Sequence, residues 1–300
     1  MGKQILIAGG TGLIGTAVKE HALSRGWEVM ILSRDPGSGK IVWDPANRTI
    51  SLSEVMTFDA IINLAGASIA ASKWTATRKK EIVESRVNAA ATLQKYLQQG
   101  LLKTQTYIGA SAIGIYGDRG SEPLDETSPI IAEDDWMVST VQQWEKGHAG
   151  IESLGIRTVI TRIGIVMSDK GGALPEIIRT ASLGFLGYFG DGHQIWPWIH
   201  IDDVVEIMLQ AVNDDKMRGT YLAVAPSPSS NKEIVVAASH VYSPHRLVMP
   251  VPVFGLQFIL GEMHHMLMQS CNAHPARLSK ENFHFRYNRI EDAMADLINN

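Results

Sequence analysis

Apolar residues cluster in short unbroken runs along the first half of the chain: KQILIA (3–8), WEVMIL (27–32), FDAIIN (58–63), QTYIGA (105–110) and IRTVITR (156–162). These runs are rich in Ile and Val and do not alternate strictly with polar residues. A strand with one wet face alternates; a strand covered on both faces does not. Between the runs lie longer polar-faced stretches, 13–25, 76–99 and 136–153. In the second, Leu93, Tyr96 and Leu97 keep the i, i+3, i+4 spacing of a buried helical stripe. Strands alternating with helices predict an α/β protein, a doubly wound parallel sheet of Rossmann type.

The second half is less regular. GGALPEIIRTASLGFLGYFGDGHQ (171–194) holds six glycines and reads as a helix followed by a loop. Residues 196–212 read as a strand leading into a helix, and GTYLAVA (219–225) as another strand. Ser230 and Glu233 have capping-box spacing ahead of a helix reaching about residue 242. The tail reads as a strand, a helix from about residue 252, and a short amphipathic helix in RIEDAMADLIN. The expected division is a nucleotide-binding domain over 1–165, rejoined by 196–225. A smaller α/β substrate-side region then spans 166–300, with a small C-terminal domain over about 245–300.

The sharpest motif is ILIAGGTGLIG. Gly10, Gly12 and Gly15 satisfy G-x-G-x-x-G, and Gly9, Gly12 and Gly15 satisfy a wider spacing around Thr11, Leu13 and Ile14. It follows an apolar run and opens a helical one, the context in which such a loop holds a dinucleotide. Glycines let backbone approach a pyrophosphate, and a helix N-terminus offers it free N–H groups and partial positive charge. The residues about 20 positions on select the nucleotide. Strand two ends in Ser33 and Arg34, and a guanidinium fork suits a 2′-phosphate. NADP is therefore expected ahead of NAD, with Asp35 as the competing ribose ligand. Leu64, Ala65 and Gly66, closing the next strand, are expected beside the same crevice.

Composition narrows the class. The 300 residues carry a net charge of −4 with no basic patch, which argues against nucleic acid. One cysteine, Cys271, precludes an intrachain disulfide and fits a reducing compartment. No apolar run reaches the ~18 residues of a membrane span and the start lacks a signal-like run, so a cytoplasmic protein without membrane contact is expected. The tail histidines and Cys271 lack zinc-site spacing.

GGTGLIG, NLAG, SAIGIYGD and WIHIDDVV together resemble the extended short-chain dehydrogenase/reductases of the NAD-dependent epimerase/dehydratase type. WDP (43–45), KWTATRKKEIVESRV (73–87), the 171–203 segment and PVPVFGLQFILGEM (250–263) resemble its atypical, YfcH-like subgroup with an extra C-terminal domain. The resemblance implies that Ser33 and Arg34 bind NADP, that Leu64 and Ala65 line it, and that Glu81, Arg86 and Arg162 lie close to it. It also implies a Ser or Thr, then Tyr-x-x-x-Lys on the next helix, where the ammonium lowers the phenol's pKa so that it can pass a proton.

Ser111 stands at the first of those positions. The dyad is missing: Met137 and Val141 occupy the tyrosine and lysine positions, and none of the seven tyrosines has Lys four residues later. Two replacement acids remain. Tyr116 lies just past Ser111, and the 184–200 loop can bring His193 or His200 toward the site; a structural role is preferred for His200, and an N-cap and first-turn role for Asp202 and Asp203. The expected function is an NADP(H)-binding oxidoreductase or epimerase-like protein acting on a small polar molecule through Ser111 and Tyr116. The alternative is a non-catalytic NADP(H)-binding sensor or regulator. The Met-rich tail is expected to serve as a lid or as a homodimer contact.

Overall fold

The computed structural model describes residues 2–131, 135–242 and 247–299. Glu133 and Asp134, ahead of the third expected helix, and His245 and Arg246, opening the expected tail strand and C-terminal domain, lie outside the described residues. Eight strands form the main sheet: β1 (Gln4–Ala8), β2 (Glu28–Ser33), β3 (Lys40–Asp44), β4 (Thr49–Ile50), β5 (Ala60–Asn63), β6 (Thr106–Ala112), β7 (Arg157–Ile163) and β8 (Gly219–Ala223). Their order is β8-β7-β6-β5-β1-β2-β3-β4, all parallel except β4 against β3. The chain starts at the centre, winds outward through β2, and returns to the other side of β1 at β5. That reversal places a crevice at the carboxyl ends of β1 and β5, where open α/β sheets bind ligands.

Both faces of the sheet are covered, which explains the unbroken apolar runs. Ile5 and Ile7 of β1 face one core with Val18 and Ala22 of α1 (Leu13–Ser24) and the apolar side of α4 (Ile201–Asn213). Leu6 and Ala8 face the opposite core with Ala89 and Leu93 of α2 (Ala76–Gln98) and Ile151 of α3 (Trp136–Glu152). All four β1 residues are fully buried, and each buried large aliphatic side chain contributes about 1.5–3 kcal/mol. Thr75 caps α2 through the Arg78 N–H, and Asp135 caps α3 through the N–H groups of Met137 and Val138.

The second lobe packs its own core around α5 (Asn231–Tyr242) and α6 (Ile290–Asn299). The expected capping box forms: the Ser230 N–H donates to Glu233 Oε2 at 2.7 Å, and the Glu233 N–H to Ser230 Oγ at 3.2 Å. One expectation changes. The loop expected before residue 194 contains a strand, Phe185–Phe189, paired in parallel with Leu247–Val251. Its partner lies some 60 residues away in the chain, and Gly187 lets Val251 approach where any Cβ would stand 2.4 Å from its methyl. Local glycine content therefore reads as loop while a distant partner makes it strand. The hairpin β3–β4 escaped notice because its second strand is two residues long.

Candidate functional site

The glycine loop and the Leu64–Gly66 loop interlock at the crevice. Gly9 has φ +80°, and a Cβ there would stand 2.7 Å from the Leu64 carbonyl group. A Cβ on Gly15 would stand 2.3 Å from the Gly9 oxygen, and one on Gly10 2.9 Å from Ile31. These glycines are required by close approach, which lets the loop turn tightly over the end of β1 into α1. Gly12 is the N-cap of α1; no side chain caps it, and no acidic residue lies in the first turn. The helix start is thus a cradle for an anion. Leu13 lies beneath the Gly171–Gly172 turn of the second lobe.

Ala8 pairs with Leu32, which sets the end of β2 beside that cradle. Ser33 is buried and its Oγ accepts the Asp35 N–H at 3.1 Å, a turn that leaves Arg34 and Asp35 both exposed. Arg34 has no hydrogen-bond or ion-pair partner among the described residues. A cavity of about 380 Å³ opens against Thr11, Gly12 and Leu13 of the cradle and runs along α1, where Glu20, Asp169, Lys170 and Asp202 also line it. The crevice therefore fits a dinucleotide: an uncapped helix start, close-packed glycines and, at the end of β2, an exposed guanidinium.

Arg86 of α2 spans the next stretch. Its Nη1 donates to the carbonyls of Ala67 at 3.0 Å and Ile82 at 2.9 Å, and its guanidinium lies over Gly66 and the Trp144 ring. Burial, with Arg78 adding its charge, pushes its pKa down to about 10. Glu81 stands apart from it: it is exposed and paired with Arg78 at 2.7 Å, while Arg78 in turn holds the Ser68 carbonyl.

The far end of the crevice is a closed network. Arg162 at the end of β7 grips Glu145 of α3 with two parallel hydrogen bonds, Nε to Oε1 at 2.8 Å and Nη2 to Oε2 at 2.9 Å. Ser111 is only 1% exposed, and its hydroxyl donates to Glu145 Oε1 at 2.6 Å. Tyr116 is fully buried; its hydroxyl donates to the Asp125 carbonyl at 2.8 Å and accepts from Arg162 Nη1 at 2.7 Å. Burial raises the Tyr116 phenol above its ordinary value, although Arg162 opposes the shift. Burial also penalises the Arg162 charge, but Glu145 more than offsets this and its pKa rises. As arranged, Ser111 and the expected acid Tyr116 both have their protons committed within the protein.

Glu145 is the member of this network that reading the chain missed as a site residue. Its signal was the Trp144–Glu145 pair eight residues past Met137. Met137 and Val141 are both buried, Met137 against Gly114 and Val141 among Ile115, Tyr116 and Leu222. Behind the network, Asn63 Nδ2 donates to the Tyr107 hydroxyl, which meets His148 Nδ1; His148 Nε2 meets the Ala110 carbonyl; each distance is 2.9 Å. Asn63 Oδ1 also accepts the Ala65 N–H, so this buried chain braces the Leu64–Gly66 loop. His200 turns out to be the N-cap of α4, accepting the Asp202 N–H, and is buried; Asp203 accepts the N–H groups of Arg286 and Tyr287. His193 is on an exposed turn closed by Asp191.

Sheet order, switch point and glycine cradle together define a dinucleotide-binding Rossmann protein. The chain belongs to the NAD dependent epimerase/dehydratase family, whose model matches residues 5–223. A domain of unknown function, DUF1731, matches residues 251–297. The epimerase family protein YfhF of Bacillus subtilis is 34% identical, over 98% of this chain and 97% of that one. The crystal structure of human epimerase family protein SDR39U1 (isoform 2) with NADPH superposes with a TM-score of 0.90 at 29% identity, covering 99% of each chain. A nucleoside-diphosphate sugar epimerase from Corynebacterium glutamicum gives 0.79 at 30% identity, over 99% of this chain and 58% of that chain. Among the described residues no helix is long and apolar enough to cross a membrane.

Proposed function

We propose that the protein is an NADP(H)-binding oxidoreductase or epimerase-like enzyme that works without the tyrosine–lysine dyad. The observation that carries the nucleotide choice is Arg34, an exposed guanidinium with no partner among the described residues, beside an uncapped helix start. NADPH in the human relative's crystal structure supports the same choice. Gly9, Gly10, Thr11, Gly12, Leu13, Ile14 and Gly15 would hold the pyrophosphate. Ser33 and Arg34 would hold the 2′-phosphate, and Leu64, Ala65 and Gly66 would line the ribose side. When bound, the cofactor supplies or accepts a hydride. Arg86 steadies the Gly66–Ala67 backbone beneath it. Arg162, Glu145, Ser111 and Tyr116 act as a rigid floor: they hold geometry and charge and keep their protons.

Melting temperatures measured with NADPH, NADP, NADH and NAD test this. A ligand at ~100 times its dissociation constant adds ~2.7 kcal/mol to stability. The phosphorylated pair is expected to shift the melt, and Arg34→Ala to weaken that pair alone by about 10- to 100-fold, the worth of hydrogen bonds between charged groups. Equal shifts with all four nucleotides would remove the case for NADP. The second reading, a sensor that binds NADP(H) without turnover, is favoured by buried Met137 and Val141. It predicts the same melts and no substrate-dependent NADPH oxidation.

A further inference from the structure

From Leu247 to Gly261 the chain carries no charged residue. The helix Val253–Leu260 within that stretch nevertheless turns most of its apolar side chains outward, and Leu256 alone is buried. Phe254 is 78% exposed, Phe258 86% and Ile259 61%; Leu247 and Met249 are exposed on the strand that leads in. Successive helical residues point about 100° apart. Phe254, Phe258, Gly255 and Ile259 therefore share one arc, opposite Leu256 and Leu260. Gly255 lies inside that arc, and an added Cβ there would meet nothing within 4 Å among the described residues. Glycine weakens a helix interior relative to alanine, and no packing within this chain requires it here. The face is a notch between large apolar side chains.

We infer that this face is the contact between two copies of the chain, paired about a two-fold axis. Three observations select a second copy. The first is self-complementarity. One eight-residue helix holds both a ring and a notch that fits it. Gly255 and Phe258 are three residues apart, ~4.5 Å along the axis. An antiparallel pair centred between Leu256 and Gln257 sets each Phe258 over the other copy's Gly255, the reciprocal contact that a two-fold axis demands. The missing side chain lets the two helices approach closely.

The second is area. Val253, Phe254, Phe258 and Ile259 leave roughly 500 Å² in water on each copy, so a pair would cover ~1,000 Å², where specific interfaces begin. Leu247 and Met249 add to that area. The third is charge. Helices that lie on membranes bring Lys and Arg to the surface they meet. Here the neighbouring cations are engaged: Lys79 pairs with Glu262, and Lys73 Nζ donates to the Phe258 carbonyl at 3.4 Å. The uncharged face neither repels its own copy nor attracts anionic lipid.

Light scattering during size-exclusion chromatography tests the inference. At ~10 μM, a concentration that populates a dimer of micromolar or tighter Kd, the protein should show twice the mass of one chain. Phe258→Lys should raise the dissociation constant by ~100-fold or more, because each dimer loses the buried ring twice, and should return the mass to that of one chain. Gly255→Leu should do the same by filling the notch, although it makes the face larger and more apolar. Both positions face solvent in the single chain, so both variants should keep the wild-type circular dichroism. Flotation with vesicles of phosphatidylcholine and phosphatidylserine should leave the protein unbound. A single-chain mass for the wild type, a dimer that survives either substitution, or flotation that Phe258→Lys abolishes would overturn the pairing.

Discussion

At the Gly9–Gly15 end of the crevice the working groups are backbone. Side chains have been removed so that loops pack at 2.3–2.7 Å from where a Cβ would be, and an N-terminus stays uncapped. At the Ser111–Arg162 end the working groups are side chains, and every hydroxyl and charge is matched to a partner. The first end holds groups in reserve for a ligand. The second has spent its groups on itself. That contrast separates binding from proton transfer within one crevice: the first is prepared and the second is not.

The largest expected effect comes from breaking the matched end. Arg162 is 8% exposed at its side chain and Glu145 is 19% exposed. Glu145→Ala leaves a guanidinium buried without its carboxylate and strands the Ser111 hydroxyl. Removing one partner of a buried pair costs about 3–5 kcal/mol, and the partial exposure of Glu145 places this case toward the lower figure. Urea unfolding should show that loss, with a smaller one in Glu145→Gln. A loss below ~1 kcal/mol would mean that the network is ornamental and that the contrast between the two ends is overstated.

A middle-sized effect probes the brace between the ends. Burial pushes the His148 imidazole down to about 4, from an ordinary 6.5. Between those values the unfolded chain takes up a proton that the folded protein refuses. Stability is therefore full above pH 6.5 and falls as pH drops toward 4, by ~1.4 kcal/mol per pH unit. From pH 7 to pH 5 the protein should lose about 2 kcal/mol through this residue. His148→Gln should start less stable but lack that part of the pH slope. Equal slopes in the two proteins would show that the Asn63–Tyr107–His148 chain is not closed in solution.

The prepared end was largely legible from residues alone, because its requirements are local. A glycine spacing between a strand and a helix, and the residues ending strand two, lie within about 30 positions. The matched end was legible only as an absence. Ser111, Tyr116, Glu145 and Arg162 come from β6, the turn after it, α3 and β7, and no spacing rule joins a serine to a glutamate 34 residues on. Tyr116 read as a free acid because nothing near it in the chain announces that the Asp125 carbonyl takes its proton. The same limit hid the 185–189 strand, whose partner lies past residue 246. Glu81 read as a cofactor neighbour through its family segment, yet Arg78 intervenes between it and the crevice loop.

The smallest expected effect concerns Lys146, the residue that tempts one to rebuild the dyad. It follows Glu145 on α3, but neighbouring helix positions point about 100° apart, so it cannot share the face that Glu145 turns to Arg162. It is exposed and has no hydrogen-bond or ion-pair partner among the described residues. Lys146→Ala should change stability by less than ~0.5 kcal/mol, as surface substitutions away from packed features do. NADPH affinity and any turnover should also be unchanged. A marked loss of turnover at intact NADPH affinity would place an ammonium in the reaction after all. The crevice would then hold an acid–base partner supplied from an unexpected face of α3, and the division between a binding end and an inert end would have to be abandoned.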